Sequence, residues 1–213
     1  MAHDLLVQAL LGPPRQYWEA LGRFVSVFSL VEENMQVALW RCVGVKAPVA
    51  PAIFSGTRVD AASGYIKRIA EAQHWPRRKQ QEIEDVFKQL AELTRVRNDI
   101  LHYGASMTGP DEWVVSNKLV AHVKERIRNT RISVKILVQM SEDLSKIMLH
   151  LVMIERRGKP VRAHPSVEAV LKRAWLYKPD RQSGSQAGDN PRQPQTPKRP
   201  RRRGPSRALS RSR

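Results

Sequence analysis

The chain has 213 residues, which is enough for one domain of ordinary size with extensions. Its 37 Lys and Arg residues outnumber its 20 Asp and Glu residues, and the formal net charge at pH 7 is +17. This excess of cations favours an anionic partner such as nucleic acid. Cys42 is the single cysteine, which excludes an internal disulfide and argues against a cysteine-based zinc site.

The sequence gives no indication of a membrane-spanning segment or of a cofactor-binding motif. No apolar run reaches the roughly 18 residues that a membrane span needs, and a signal peptide with a basic start is missing. The P-loop, dinucleotide-binding, zinc-peptidase and serine-hydrolase motifs are absent, and the histidines lack metal-ligand spacing. We therefore expect a cytoplasmic protein with no cofactor, no metal and no membrane partner.

The apolar periodicity predicts a mainly α protein. Residues 1–13 are expected to form a short N-terminal extension, in which two helical turns at 4–11 cover one end of the core. Long helices are predicted over residues 14–43, 58–73, 76–104 and 133–156. The pattern therefore indicates a bundle of four to five helices, counting one further short helix over residues 165–177.

A change of pattern follows the third long helix. Residues 105–116 alternate around Gly109-Pro110-Asp111, which predicts a small β-hairpin inserted between the third and fourth long helices. Residues 126–132 alternate as well and predict another strand. We assign residues 14–157 to the helical domain and 158–177 to a C-terminal helix that packs on it.

The last segment, residues 178–213, consists mainly of Pro, Gly, Ser, Gln and Arg and predicts a disordered basic tail. It contains 11 basic and 2 acidic residues. Cations of this density neutralise phosphates and bind nucleic acid without reading its sequence. A solubilising tail and a nuclear import signal are the alternatives. The candidate phosphate-binding residues are Lys198, Arg199, Arg201, Arg202 and Arg203.

The third long helix ends in a polar group of residues. Its inward face is predicted to consist of Ile83, Val86, Phe87, Leu90, Leu93, Ile100 and Leu101. Arg97 falls in the middle of that face, and an unpaired guanidinium there must meet either an acid or water. Asn98 and His102 are four residues apart and stack at the border of the face.

The spacing Arg97-Asn98-x-x-x-His102, followed by Gly104 at a helix end, resembles the R-x4-6-H signature of HEPN domains (higher eukaryote and prokaryote nucleotide-binding domains). The segment 28–35, with Phe28, Val31, Glu32 and Met35 at its matching positions, is similar to an F-x-x-[IV]-E-x-x-[LM] helix of many bacterial members. The likeness covers roughly residues 15–152. In the toxin branch a tyrosine stands two residues after the histidine, whereas Tyr103 directly follows His102.

This resemblance implies a metal-independent endoribonuclease with two motifs facing each other in a homodimer, as in bacterial defence systems. It implies that His102 transfers a proton or orients the ribose 2′-OH and that Arg97 binds the phosphate. Asn98 then orients His102 or the phosphate, and Glu32 keeps Arg97 in place. The supporting residues are Glu32, Tyr103 and Asp99.

Two alternatives stay open at this point. Arg97 could pair with Glu32 in the core while His102 caps the C-terminal end of the helix, a favourable place for a cation. The domain could also be a non-catalytic nucleic-acid-binding or protein-interaction module that uses the basic tail for phosphate contacts. An imidazole open to a cleft beside Arg97 favours the enzyme, and a sealed pair favours the module. Neither the RNA substrate nor an antitoxin or regulatory partner can be read from the sequence.

Overall fold

Helix α1 (Arg15–Val43) is the longest element and forms one wall of the core. It begins after Pro14, whose extended backbone precedes the first turn. It ends at Gly44, which adopts a left-handed φ of 72° and donates its backbone N–H to the Trp40 carbonyl. The computed structural model describes residues 13–46, 48–109, 111–154 and 164–179.

The described chain is mainly helical, which confirms the predicted fold class. After α1 come α2 (Ala50–Phe54), α3 (Val59–Ala72), α4 (Arg77–Tyr103), α5 (Val134–Val152) and α6 (Pro165–Lys172). Helix α5 begins at Ser133, whose Oγ accepts the backbone N–H of Ile136 in a standard N-cap.

A small antiparallel sheet interrupts the helices between α4 and α5. Its strands β1 (Ser106–Gly109), β2 (Glu112–Ser116) and β3 (Asn129–Ile132) lie in the order β1-β2-β3. Trp113 is fully buried and packs with its ring centroid 4.4 Å from that of Tyr17 on α1. The sheet therefore lies at the end of the bundle where α1 begins and α4 ends.

The core is one continuous apolar cluster in which α1 packs chiefly along α5. The inward face of α1 follows the helical period and consists of Tyr17, Ala20, Phe24, Phe28, Val31, Met35, Ala38, Leu39 and Cys42. Cys42 is fully buried in this face, and burial raises the pKa of its thiol to about 12, which fits a core residue.

Two residues that periodicity placed inward are exposed. Leu101 is predicted to lie inward, within about 20° of Leu90 around the axis of α4. Its side chain is nevertheless exposed, because none of the described elements covers that flank of the last turn. Tyr65 of α3, which the helical period predicts to lie inward together with Ala62, Ile66 and Ile69, is exposed as well, and the guanidinium carbon of Arg68 lies 4.9 Å from its ring centroid.

The predicted helix over residues 165–177 is too long. Helix α6 ends at Lys172, and residues 173–177, which we call the C-terminal arm, leave the helix and pack against α4 and α5. The backbone N–H groups of Leu176 and Tyr177 donate to the buried carboxylate of Asp143 at distances of 2.9 to 3.1 Å. Because this carboxylate binds the two backbone donors, the arm does not continue the helix.

Several predictions fall outside the described residues. They are the N-terminal helical turns at 4–11, the boundary at 157/158 and the tail with its phosphate-binding candidates Lys198, Arg199, Arg201, Arg202 and Arg203. The predicted extension of α5 to Arg156 is wrong, because the helix ends at Val152 and is followed by its C-cap Met153.

Candidate functional site

The polar residues predicted from the sequence lie on the last two turns of α4. The helix ends at Gly104, which has a φ of 67° and donates its backbone N–H to the Ile100 carbonyl. Only a residue without a Cβ adopts this conformation readily, which explains why the helix ends there. Ile100 and Val96 anchor the two turns in the core.

Arg97 is half-buried and points toward α1. Its Nη1 donates to Asn98 Oδ1 at 3.1 Å, and its guanidinium carbon lies 5.2 Å from the ring centroid of Phe28. Its Nε is buried and has no acceptor among the described residues. A neutral amide and an aromatic face therefore hold this cation.

Glu32 and Arg97 form no ion pair within the described part of the chain. Phe28, one helical turn before Glu32 on α1, provides the contact that the sequence analysis assigned to Glu32. Glu32 instead borders a half-open cavity of about 270 Å³ near the turn before α3. The other residues lining this cavity are Met35, Gln36, Gly56, Thr57, Arg58 and Val59.

His102 is exposed on the final turn of α4 and has no hydrogen-bond partner among the described residues. Its ring centroid lies 6.4 Å from that of Tyr103, which is exposed as well. Arg97 and His102 are five positions apart in the helix, which corresponds to about 140° around the axis and about 7.5 Å along it. Asn98, which contacts Arg97, lies one turn before His102 and connects the two positions.

Asp99 has a structural role that the sequence does not reveal. Its buried carboxylate lies 2.9 Å from Nη2 of Arg128 and 3.6 Å from Nη1 of Arg95. Arg128 directly precedes β3, so Asp99 ties the sheet to the end of α4. Arg128 lies 29 residues after Asp99, and no local sequence pattern predicts a pairing over that separation.

A second polar cluster surrounds the C-terminal arm. Asp143 is fully buried and also accepts Nε2 of Gln89 at 3.0 Å. The Lys146 ammonium donates to the Arg173 carbonyl and lies 4.0 Å from the ring centroid of Trp175. Burial lowers the pKa of Lys146, and the nearby charge of Asp143 opposes that shift. The sequence does contain an indication of this cluster, since Asp143 and Lys146 interrupt the apolar stripe of α5.

His150 contributes to a third polar contact, between α4 and α5. Its Nδ1 lies 3.1 Å from Oε1 of Glu82, and Lys79 pairs with the same carboxylate at 2.9 Å. The hydrogen bond with His150 lowers the pKa of Glu82 to about 2, although its partial burial acts in the opposite direction.

Comparison of the chain with protein-family models, with curated proteins and with solved structures found no match. Across residues 13–46, 48–109, 111–154 and 164–179, no group of His, Cys, Asp and Glu side chains is placed to hold a metal ion. None of the helices in these ranges combines the length and the apolar character required to cross a membrane.

Proposed function

We propose that this protein is a metal-independent endoribonuclease of the HEPN type, in which Arg97 binds the scissile phosphate and His102 moves the proton. One observation carries the proposal. The guanidinium of Arg97 is half-buried and has no carboxylate partner among the described residues, while the imidazole of His102, one turn past Asn98, is open to solvent.

A half-buried cation without a counter-ion has lost hydration that no protein anion replaces. A phosphate group supplies that anion, and its oxygens match the planar donors of a guanidinium. Phe28 and Asn98 restrict the plane of the Arg97 guanidinium before any ligand arrives. The arrangement therefore favours binding of a phosphodiester over further packing of the core.

The chemistry that these residues support is transesterification. The ribose 2′-oxygen attacks the adjacent phosphorus as the bond from phosphorus to the 5′-oxygen breaks, which leaves a 2′,3′-cyclic phosphate and a 5′-hydroxyl. The neutral imidazole of His102 accepts the 2′-OH proton, and a proton returns to the leaving 5′-oxygen. Arg97 stabilises the charge that builds up on the phosphoryl oxygens.

The angular separation of the two residues favours a homodimer. Because Arg97 and His102 lie about 140° apart around α4, one protomer presents them to different directions. Two copies that join along the ends of α4 bring the Arg97 of one protomer toward the His102 of the other. We therefore expect the specific activity to rise with protein concentration until the dimer is saturated.

The test is cleavage of an RNA oligonucleotide in the presence of a chelator. We expect cleavage by the wild-type protein and a loss of at least about 100-fold in His102→Ala, the lower limit for removing a general acid or base. His122→Ala is the matched control, because His122 is also exposed but lies on the loop between β2 and β3. Arg97→Ala should lose activity as well.

Equal cleavage by the wild type, His102→Ala and Arg97→Ala, with matching melting temperatures, would rule out this active site. Mapping the product ends adds a second criterion, since a 2′,3′-cyclic phosphate is expected. Products with 5′-phosphate ends would indicate a different reaction.

The alternative is a module that binds nucleic acid without cutting it, and the charge of the segment 178–213 favours it. In that case RNA binding persists without cleavage, and deleting the residues after Tyr177 weakens the binding at low salt. Unchanged affinity after the deletion would refute a role of the segment. Within either proposal, cytoplasmic RNA is the target, and bacterial defence is the setting that the HEPN resemblance implies.

A further inference from the structure

The loop between β2 and β3 carries three aliphatic side chains that point into solvent. This β2–β3 loop, residues 117–128, exposes 98% of Leu119, 55% of Val120 and 46% of Val123. Single exposed aliphatic residues are common on protein surfaces, but a cluster at one loop tip marks an interaction site.

Hydrogen bonds around Asn117 give the loop a defined shape. The buried side chain of Asn117 donates to the Arg126 carbonyl at 3.1 Å and accepts the backbone N–H of Arg128 at 2.6 Å. Its carbonyl accepts the backbone N–H groups of Val120 and Ala121, both at 3.0 Å. These hydrogen bonds fix the start and the end of the loop, so the aliphatic side chains at its tip stay away from the core.

Cations surround this apolar tip. The basic residues of the loop are Lys118, Lys124, Arg126 and Arg128, and all four are exposed. Glu125 is the only acidic residue in the loop sequence. Pairing of this loop with the same loop of a second copy is unfavourable, because it would place the exposed cations of the two loops opposite each other.

We infer that the β2–β3 loop docks onto the surface of an anionic phospholipid bilayer. Leu119, Val120 and Val123 enter the boundary between headgroups and acyl chains, while Lys118, Lys124 and Arg126 contact the lipid phosphates. RNA fits the tip less well, since the loop has no Phe, Tyr or Trp on which bases could stack.

This inference differs from the expectation of no membrane partner, and the surface attachment requires no membrane-spanning helix. It does not depend on ribonuclease activity. The ion pair between Arg128 and Asp99 ties the loop to the end of α4, so a docked loop brings the candidate site close to the membrane.

A fluorescent label at the loop tip tests the inference on the full chain. Cys42 is buried and its pKa is raised to about 12, so Leu119→Cys provides the reactive thiol for an environment-sensitive nitrobenzoxadiazole group. With vesicles of equimolar phosphatidylcholine and phosphatidylglycerol, we expect a blue shift and a gain in intensity. The matched control is Ile53→Cys, because Ile53 is also an exposed aliphatic residue.

The salt dependence of vesicle binding distinguishes insertion of the loop from electrostatic binding by the basic segment 178–213. Insertion should persist at salt concentrations that screen exposed charges, whereas binding by exposed cations alone should be lost. In co-sedimentation at high salt, the double variant Leu119→Ser and Val120→Ser should bind at least about tenfold more weakly than the wild type. Ile53→Ser should bind like the wild type.

Three results would overturn the inference. The first is a label at position 119 that responds no more to anionic vesicles than the label at position 53. The second is vesicle binding that disappears completely at high salt or is unchanged in the double serine variant. The third is a label at position 119 that responds to RNA and not to vesicles, which would assign the loop to nucleic-acid binding.

Discussion

Two regions bring polar side chains to the apolar bundle: the surroundings of the C-terminal arm, and the end of α4. They differ in how those side chains are paired. Around the arm, Asp143 accepts two backbone N–H groups and the Gln89 amide, and Arg173 pairs with the Glu142 carboxylate at 2.9 Å although its Nε has no acceptor among the described residues. At the end of α4, Arg97 has neither an acceptor for its buried Nε nor a carboxylate partner in the described part of the chain, and His102 has no hydrogen-bond partner there.

This difference separates a structural polar cluster from a ligand-binding one. Buried polar groups that are fully paired stabilise one arrangement of the chain and leave no capacity for a ligand. A cation without a carboxylate partner and an exposed imidazole on the same two turns of α4 keep that capacity. Asp99 lies between the two motif residues, and its role is structural because two cations hold its carboxylate. Its Oδ1 lies 2.9 Å from Arg128, and its Oδ2, which has no hydrogen bond among the described residues, lies 3.6 Å from Nη1 of Arg95.

The largest expected effect is removal of the C-terminal arm. A chain ending at Arg173 loses the two backbone donors of the Asp143 carboxylate and keeps only the Gln89 amide, and we expect a decrease of about 3–5 kcal/mol in the free energy of unfolding. A chain ending at Tyr177 keeps these contacts and should unfold like the full chain. Urea denaturation of both truncated chains measures the difference. Equal stability would mean that the arm contributes little to the fold.

Replacing Arg97 should affect function far more than folding. Arg97→Met retains most of the side-chain volume and removes a cation without a counter-ion, so the free energy of unfolding should change by less than about 1 kcal/mol. Lys146→Met leaves the Arg173 carbonyl without its donor and should cost about 1–2 kcal/mol. RNA cleavage is expected to fall in Arg97→Met only. A larger loss of stability in Arg97→Met than in Lys146→Met would reverse the comparison.

The smallest expected effect concerns Glu82. Its pKa in the folded protein is lowered from 4.5 to about 2, so its contribution to stability is present above about pH 4.5 and is lost as the pH falls toward 2. The difference in stability between the wild type and Glu82→Gln should therefore shrink over this range. Urea denaturation at a series of pH values measures it, with Glu84→Gln as an exposed control. A difference that stays constant with pH would contradict the assignment.

Local periodicity accounts for the features that could be predicted from the sequence. The inward face of α1, the end of α4 at Gly104 and the position of Arg97 toward the core all depend on residues within a few turns. Pairing across the fold could not be predicted in the same way. Phe28 and Glu32 lie one turn apart on α1, and periodicity alone does not decide which of them faces Arg97.

The C-terminal arm illustrates the same limit. The apolar stripe of residues 165–177 predicts a continuous helix, but Asp143 takes the backbone donors of Leu176 and Tyr177 from more than 30 residues away. The link between Asp99 and Arg128 is equally remote. In both cases a buried carboxylate sets the tertiary contact, and its partner is known only once the chain has folded.

The measurement that tests the central claim most directly is the NMR resonance of the Arg97 Nε–H group during titration with an uncleavable RNA. A 2′-O-methyl oligonucleotide removes the attacking hydroxyl, and the spectrum of Arg97→Lys identifies the resonance. We predict a large shift of the Arg97 Nε–H resonance, together with a shift of the His102 ring signals, as a phosphate pairs with the Arg97 guanidinium. An Arg97 resonance that stays in place while the RNA binds elsewhere would contradict the account.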